Sequence, residues 1–393
     1  VTAHPPANPS LNIELLNQLR AAEGRYVPLD LLGADVRETR RALSALEDFG
    51  FAIEHHPLLG AAYRGPAARL CPDQLEYQLG TREIGRRIAV WDRVTSTNDL
   101  AARGSRSTAN HGLVVMAEDQ SAGRGRQGRA WIAPPRSSIL MSILLFPPAR
   151  LTASDAPKSL GTAWLTALAA VAVAETVSQL IEKPAQIKWP NDVRVAKRKI
   201  AGILVEQPAV VRPTAAEALN HDSHAKPVVI GIGLNVNLRH DRLPESLRDS
   251  ATSVLIESQR SEAIDRTELA RSLIRNLDRW YGSCLEDGLG PLSAAWTIAS
   301  EHHGQVVRMQ TVEGAFVGRL INLDLEHGLI VELGDQKPRS PEDPLRSQVR
   351  VALSRILSLG VEPPESKMAT LMVAQSPGSR VPRDSDVQRL PES

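Results

Sequence analysis

Three arginines alternate with three glycines in Gly123–Arg129, GRGRQGR, and Trp131 follows closely. Guanidinium groups on so permissive a backbone suit a substrate carrying several negative charges, because each presents a planar fork of donors to carboxylate or phosphate oxygens. The string satisfies G-x-G-x-x-G, yet the dinucleotide reading fails on context. Such a loop opens a helix and is followed about 20 residues later by an acidic residue, whereas Trp131–Arg136, WIAPPR, carries two prolines and no helix start. Walker A fails as well, since Arg129 and Ala130 stand where Lys and Ser/Thr belong. Taken by itself, the loop is equally a solvated basic turn or a grip on nucleic-acid backbone.

Four further blocks accompany it: Thr95–Asn98 (TSTN), Lys188–Asp192 (KWPND), Lys199–Glu206 (KIAGILVE) and Gly231–Asn237 (GIGLNVN). Each has a plain structural reading. A lysine at a strand end snorkels to water; Ser96, Thr97 and Asn98 stand at a helix start, where N-capping is the usual role; GIGLNVN is a buried strand running into a turn, with Asn235 serving local backbone; Trp131 is core. Together, and in this order, the five blocks closely resemble the biotin protein ligases, over roughly residues 10 to 360. That family makes biotinyl-adenylate from biotin and ATP and passes biotin to a lysine of a carboxylase carrier domain.

The resemblance implies a role for each residue. Arg126 and Lys188 are the catalytic pair, bridging the biotin carboxylate and the α-phosphate, whose negative charges repel unless cations stand between them. Ser96, Thr97, Asn98 and Gln120 face the ureido group. Gly123, Arg124 and Gly125 form the loop that closes over the substrate, and Trp131 lies against the thiophane ring and valeryl chain. Arg126, Arg129, Lys188, Asn191 and Asn235 bind nucleotide, with Asn235 on adenine. Asp192 is left open between positioning magnesium and holding a loop amide, and Lys199 between a phosphate and solvent. Biotin and ATP are then the substrates, Mg2+ accompanies ATP, and a biotin carboxyl carrier protein is the partner, with operator DNA and a homodimer left open. Two rivals stand: a lipoate or octanoate ligase of the same fold, and a non-enzymatic biotin-sensing DNA-binding regulator.

The elements that position these residues fall into three units, a multidomain α+β arrangement. Residues 11–80 read as helices followed by two short strands: Leu11, Leu15, Leu16 and Leu19 have helical spacing, a helix runs from Asp35 to Phe49, and Phe51–Ile53 and Ala61–Tyr63 flank a turn. This suggests a winged helix-turn-helix, as in ligases that double as repressors. PLDLLGA leaves its first helix about a turn short, and Glu38, Glu47 and Asp48 offset Arg37, Arg40 and Arg41, so a degenerate unit is the expectation. Residues 84–300 alternate apolar runs (Ile88–Trp91, Leu113–Ala117, Ile139–Phe146, Ile203–Glu206, Val228–Ile232) with helices near Thr97–Ala102, Leu160–Ile181 and Arg266–Glu286. The prediction is a mixed α/β ligase domain with helices mainly on one face of its sheet. Residues 301–360 carry three strands, Val306–Met309, Ala315–Leu323 and Gly328–Leu333, and resemble the family's SH3-like barrel. The segment Gln207–Pro227 reads as an inserted loop whose His221 and His224 lack further ligands for zinc, and 361–393 as a disordered tail.

Composition sets the limits. A chain of 393 residues with 42% hydrophobic content supports two or three domains. With 46 basic against 45 acidic residues, no global field points to nucleic acid or membrane. Cys71 and Cys284 form no metal-spaced set and read as reduced thiols of a cytoplasmic protein; VTAHPPANPS lacks the apolar run of a secretory leader. Leu160–Ile181 is apolar but broken by Thr162, Thr166, Glu175, Thr176, Ser178 and Gln179, which favours a buried soluble helix over a membrane span.

Overall fold

A computed structural model describes residues 10–148, 151, 161–208, 226–243, 245–312, 314–333 and 348–361. Most of the inserted segment, with His221 and His224, and the tail beyond 361 lie outside the described residues.

The N-terminal unit comprises α1 (Ile13–Ala21), α2 (Leu29–Leu32), α3 (Val36–Phe49), and the antiparallel hairpin β1 (Ala52–His56) and β2 (Gly60–Gly65). Asn12 caps α1 by accepting from Leu15 N at 2.9 Å, and Asp35 caps α3 by accepting from Arg37 N at 2.7 Å. Leu16 and Leu19 of α1, Leu43 and Leu46 of α3, and Phe51 form its core. The short space before Asp35 yields a four-residue α2, as the sequence requires.

A connector follows, with α4 (Pro72–Glu76), and leads into a seven-stranded sheet: β3 (Arg87–Trp91), β4 (Leu113–Ala117), β5 (Ser138–Leu145), β6 (Gln186–Lys188), β7 (Asp192–Val195), β8 (Arg198–Glu206) and β9 (Val228–Asn235). Its order is β3-β4-β5-β9-β8-β7-β6; β3 and β4 are parallel and the other neighbours antiparallel. α6 (Ala163–Ser178), α8 (Arg266–Glu286) and α9 (Gly290–Ala299) cover one face. α5 (Thr97–Arg103) covers part of the other, around Ala101, Val115, Leu144 and Val229. α6 is apolar on nearly every side because it is enclosed by sheet, α8 and α9. Among the described residues no helix is long and apolar enough to cross a membrane. A short α7 (Val254–Glu257) precedes α8.

α8 also fastens the connector. Asp278 accepts from the backbone N–H groups of Arg82, Glu83 and Ile84 at 2.7–2.9 Å, and Arg275 Nε donates to Leu79 O at 3.1 Å. Cys71 and Cys284 are buried and free, and burial pushes their thiols up to about 11 and about 12, so both are protonated and unreactive at neutral pH.

The C-terminal unit is a five-stranded antiparallel sheet in the order β13-β12-β11-β10-β14, built from β10 (Val306–Thr311), β11 (Gly314–Asp324), β12 (Gly328–Glu332), β13 (Gln348–Val351) and β14 (Ile356–Val361). The last two strands are additions to the three expected. Thr297 and Ser293 of α9 hydrogen-bond Leu323 and Leu325, and Glu301 N donates to Ile187 O at 3.0 Å, so this unit is stitched to β6. In the same turn His302 is 1% exposed with no partner on Nδ1.

Burial, reinforced by the charges of Lys188 and Arg194, pushes the His302 imidazole from 6.5 down to about 4. The ring is neutral in the fold but takes up a proton once unfolded, so stability falls as pH drops from 6.5 to about 4 and levels off below. His302→Phe should therefore gain on the wild type by about 3 kcal/mol across that window in urea titrations. A stability difference that stays constant from pH 7 to 4 would contradict this.

Candidate active site

A cleft of about 340 Å³ opens over the middle of the central sheet, with β5, β8 and β9 as floor, the GRGRQGR loop on one side and the β6–β7 turn on another. One end is neutral and polar. Ser96 stands at the N-cap position of α5, with Thr97 and Asn98 in its first turn, and all three are buried. Thr97 donates from N and Oγ1 to Gln120 Oε1 at 2.8 and 3.1 Å, which leaves the Gln120 amide nitrogen free of that contact. Ser142 Oγ lies 2.7 Å from Thr97 Oγ1 and 2.6 Å from Asn98 Oδ1, and Asn98 Nδ2 donates to Glu206 Oε2 at 2.6 Å. Ser142 escapes sequence reading because SILMSILL looks like uniform core; its signal is a hydroxyl in the middle of a fully buried strand.

The loop is a closed hairpin. Gly125 N donates to Arg129 O at 2.7 Å and Trp131 N to Gly123 O at 2.9 Å. Gly123 is buried at its base, where a Cβ would sit 2.6 Å from Trp131 O. Arg124 does not reach freely into the cleft: it forks onto Asp99 at 2.7 and 3.0 Å and touches Glu206 at 3.2 Å. The Asp99 hydrogen bond raises the Arg124 guanidinium above its ordinary value, and Arg124 in turn holds the Asp99 carboxyl below its own. Neither acid is identified by the sequence reading, since Asp99 and Glu206 lie 25 and 82 residues from Arg124 along the chain.

Trp131 is half-buried and its ring covers β9 and β8. A Cβ on Gly233 would come within 2.4 Å of it and one on Gly202 within 3.0 Å, while a Cβ on Gly231 would meet Asn98 Oδ1 at 2.3 Å. The glycines of KIAGILVE and GIGLN thus make room for ligand-facing side chains.

Lys188 closes β6, a cis Trp189–Pro190 bond turns the chain, and Asn191 and Asp192 follow. Asn191 Nδ2 donates to Ile203 O at 2.8 Å, and its Oδ1 lies 3.5 Å from Arg126 Nη1. Lys199 Nζ pairs with Asp192 Oδ1 at 2.7 Å and lies 5.5 Å from the centre of the Trp131 ring. One oxygen of the Asp192 carboxylate is therefore paired with a lysine. Among the described residues no cluster of three or more His, Cys, Asp or Glu side chains is placed to hold a metal. Lys188, Arg126 and Arg129 also line the cleft, and no ion pair engages them among the described residues.

Of the residues singled out from sequence, Ser96, Thr97, Asn98, Gln120, Arg124, Gly125, Arg126, Arg129, Trp131, Lys188 and Asn191 are brought together around this cleft. Gly123 supports the loop from beneath. Asn235 is not brought to the cleft. It shares a face of β9 with Gly231 and Gly233, but its Nδ2 donates to Thr252 O at 3.0 Å and its Oδ1 is buried without a partner. Leu357, Ser358 and Leu359 of β14 complete the rim, so the C-terminal sheet contributes directly.

A profile described as the Biotin/lipoate A/B protein ligase family matches residues 90–218. The bifunctional ligase/repressor BirA of Bacillus spizizenii is 30% identical over 304 residues, 77% of this chain and 87% of that protein. A biotin–[acetyl-CoA-carboxylase] ligase of Mycobacterium tuberculosis is 36% identical over 280 residues, 68% of this chain and 92% of that protein. Among solved structures, a biotin protein ligase from Aquifex aeolicus in complex with biotin and ATP matches with a TM-score of 0.53 at 22% identity, covering 70% of this chain and all (100%) of that one. At that identity the likeness speaks for the fold alone. Both sequence relatives are matched over more than two thirds of this chain and most of their own length, and on that ground the chain belongs to the biotin protein ligases of the biotin/lipoate ligase family.

Proposed function

We propose that the cleft condenses biotin with ATP to biotinyl-5′-adenylate and then transfers biotin to a lysine of a biotin carboxyl carrier protein, in keeping with the name of the Mycobacterium tuberculosis relative, a biotin–[acetyl-CoA-carboxylase] ligase. The observation that carries this reading is the division of the cleft: Thr97, Asn98 and Gln120, backed by Ser142, form a neutral donor–acceptor end, and Lys188, Arg126 and Arg129 form a cationic end in which none of the three is held in an ion pair among the described residues. A ureido ring needs donors and acceptors together, and the thiophane ring and valeryl chain fit the apolar wall of Trp131.

In the first step a biotin carboxylate oxygen attacks the α-phosphorus, the bond to the bridging β-phosphate oxygen breaks, and pyrophosphate leaves. Lys188 and Arg126 offset the charge of both approaching anions, and Arg129 faces the outer phosphates. In the second step the carrier's ε-amine attacks the acyl carbon, the acyl–oxygen bond breaks, AMP leaves, and the amine's proton passes to solvent.

Residues 11–80 we read as a degenerate winged helix-turn-helix and 301–360 as an SH3-like barrel flanking the 84–300 catalytic unit. The β1–β2 hairpin after α3 supports the first reading and the five-stranded antiparallel sheet the second. On α3, Arg37, Arg40 and Arg41 are exposed together with Glu38, Glu47 and Asp48, so the helix carries no net positive face for phosphates.

Lys188→Ala or Arg126→Ala should lower adenylate formation by about a hundredfold, the usual cost of one preorganised charge at a reacting centre, about 3 kcal/mol. Pyrophosphate release checks this, and near-wild-type rates in a folded variant would remove the assigned role. For the N-terminal unit, selection from random duplexes with biotinyl-adenylate present should recover no tight site. A palindrome bound at about 10 nM or better at physiological salt, the range of working repressors, would overturn the degenerate reading.

A further inference from the structure

The ligand loop leaves the sheet at Glu118 and rejoins it at Ser138, and its two stems meet where Arg136 N donates to Glu118 O at 3.0 Å. Behind that junction lies Arg266, the first residue of α8, 4% exposed. Its Nη2 donates to Glu118 Oε2 at 2.7 Å and its Nη1 to Ser138 O at 3.0 Å, so one guanidinium grips the side chain of one stem and the backbone of the other. Nη2 also donates to Ala68 O at 2.6 Å, and Glu118 Oε1 accepts from Leu70 N, both in the connector. Glu118, 4% exposed, stands two residues before Gln120, yet neither it nor Arg266 lines the cleft. A buried ion pair adds little to stability over an apolar pair of the same size. What the planar fork adds is direction, because it fixes three groups relative to one another.

We infer that Arg266 and Glu118 are positioning residues for the ligand loop: the pair sets the spacing of its stems, and through them the places of Gln120 and Arg126 relative to Lys188. The inference rests on reading the cleft as a biotin site. It is tested in the full chain with Glu118→Gln, which keeps volume and an acceptor for Leu70 but loses the charge, and Arg266→Lys, which keeps the charge but loses the fork. Arg271→Lys is the control, since Arg271 holds the connector carbonyls of Gln74 and Leu75 and touches no loop stem.

Steady-state kinetics should show KM for biotin raised about tenfold in both loop variants with kcat changed less than about threefold, the scale expected of a sub-ångström misplacement. Tryptic cleavage within Gly123–Arg129 should accelerate by a similar factor, while Arg271→Lys leaves both readouts at wild type. A merely structural pair would lower the active fraction, and so kcat, without moving KM. Unchanged KM and cleavage in Glu118→Gln, or an equal rise in the control, would overturn the inference, and Glu118→Gln decides alone should Arg266→Lys fail to fold. If the wild type turns over no biotin, the reading of the cleft fails, while the cleavage comparison still decides the role of the pair.

Discussion

Arg124, Arg126, Arg129, Lys188 and Lys199 all line one cleft, and cations so crowded repel one another as surely as they attract a polyanion. The structure divides them. Arg124 is neutralised by Asp99 and Glu206, and Lys199 by Asp192, leaving Arg126, Arg129 and Lys188 to face the ligand. The first two pairings serve position: Arg124 pins the loop to the start of α5, and Lys199 holds the β6–β7 turn against β8 beneath Trp131. On the proposed reading the other three supply the field that lets a carboxylate approach a phosphate, preorganised so that little rearrangement is needed when charge shifts between them.

The fold answers the same requirement from below. β5 and β9 are central strands, and their pairing sets Ser142 opposite Gly231 and Leu140 opposite Gly233. Only glycine at 231 and 233 admits the Asn98 amide and the Trp131 ring. The opposite face of the sheet is closed by α6, whose apolar residues leave the polar side as the ligand side. The turn after α9 then ties β6, and with it Lys188, to the C-terminal sheet whose β14 forms part of the rim.

Much of this was legible in the chain because local signals carry it. KWPND reads as a lysine at a strand end followed by a proline turn, and GRGRQGR as a glycine-permitted loop of cations. The short α2 follows from the seven residues PLDLLGA. What was hidden depends on distant contacts. Which arginine is free and which is latched turns on Asp99 and Glu206, and β14 is a short strand whose pairing partner β10 lies well up the chain. Asn235 reads as an adenine contact by motif, yet the register that faces Gly231 and Gly233 to the cleft leaves its amide bonded to Thr252.

The central claim is that this cleft activates the biotin carboxylate on its own, before any carrier arrives. Exchange of labelled pyrophosphate into ATP measures that step directly, because it runs only if the enzyme forms the acyl-adenylate reversibly. The account predicts exchange that requires biotin, is not supported by lipoate or octanoate, and needs no carrier protein. Exchange supported by lipoate, or none until a carrier is added, would contradict it.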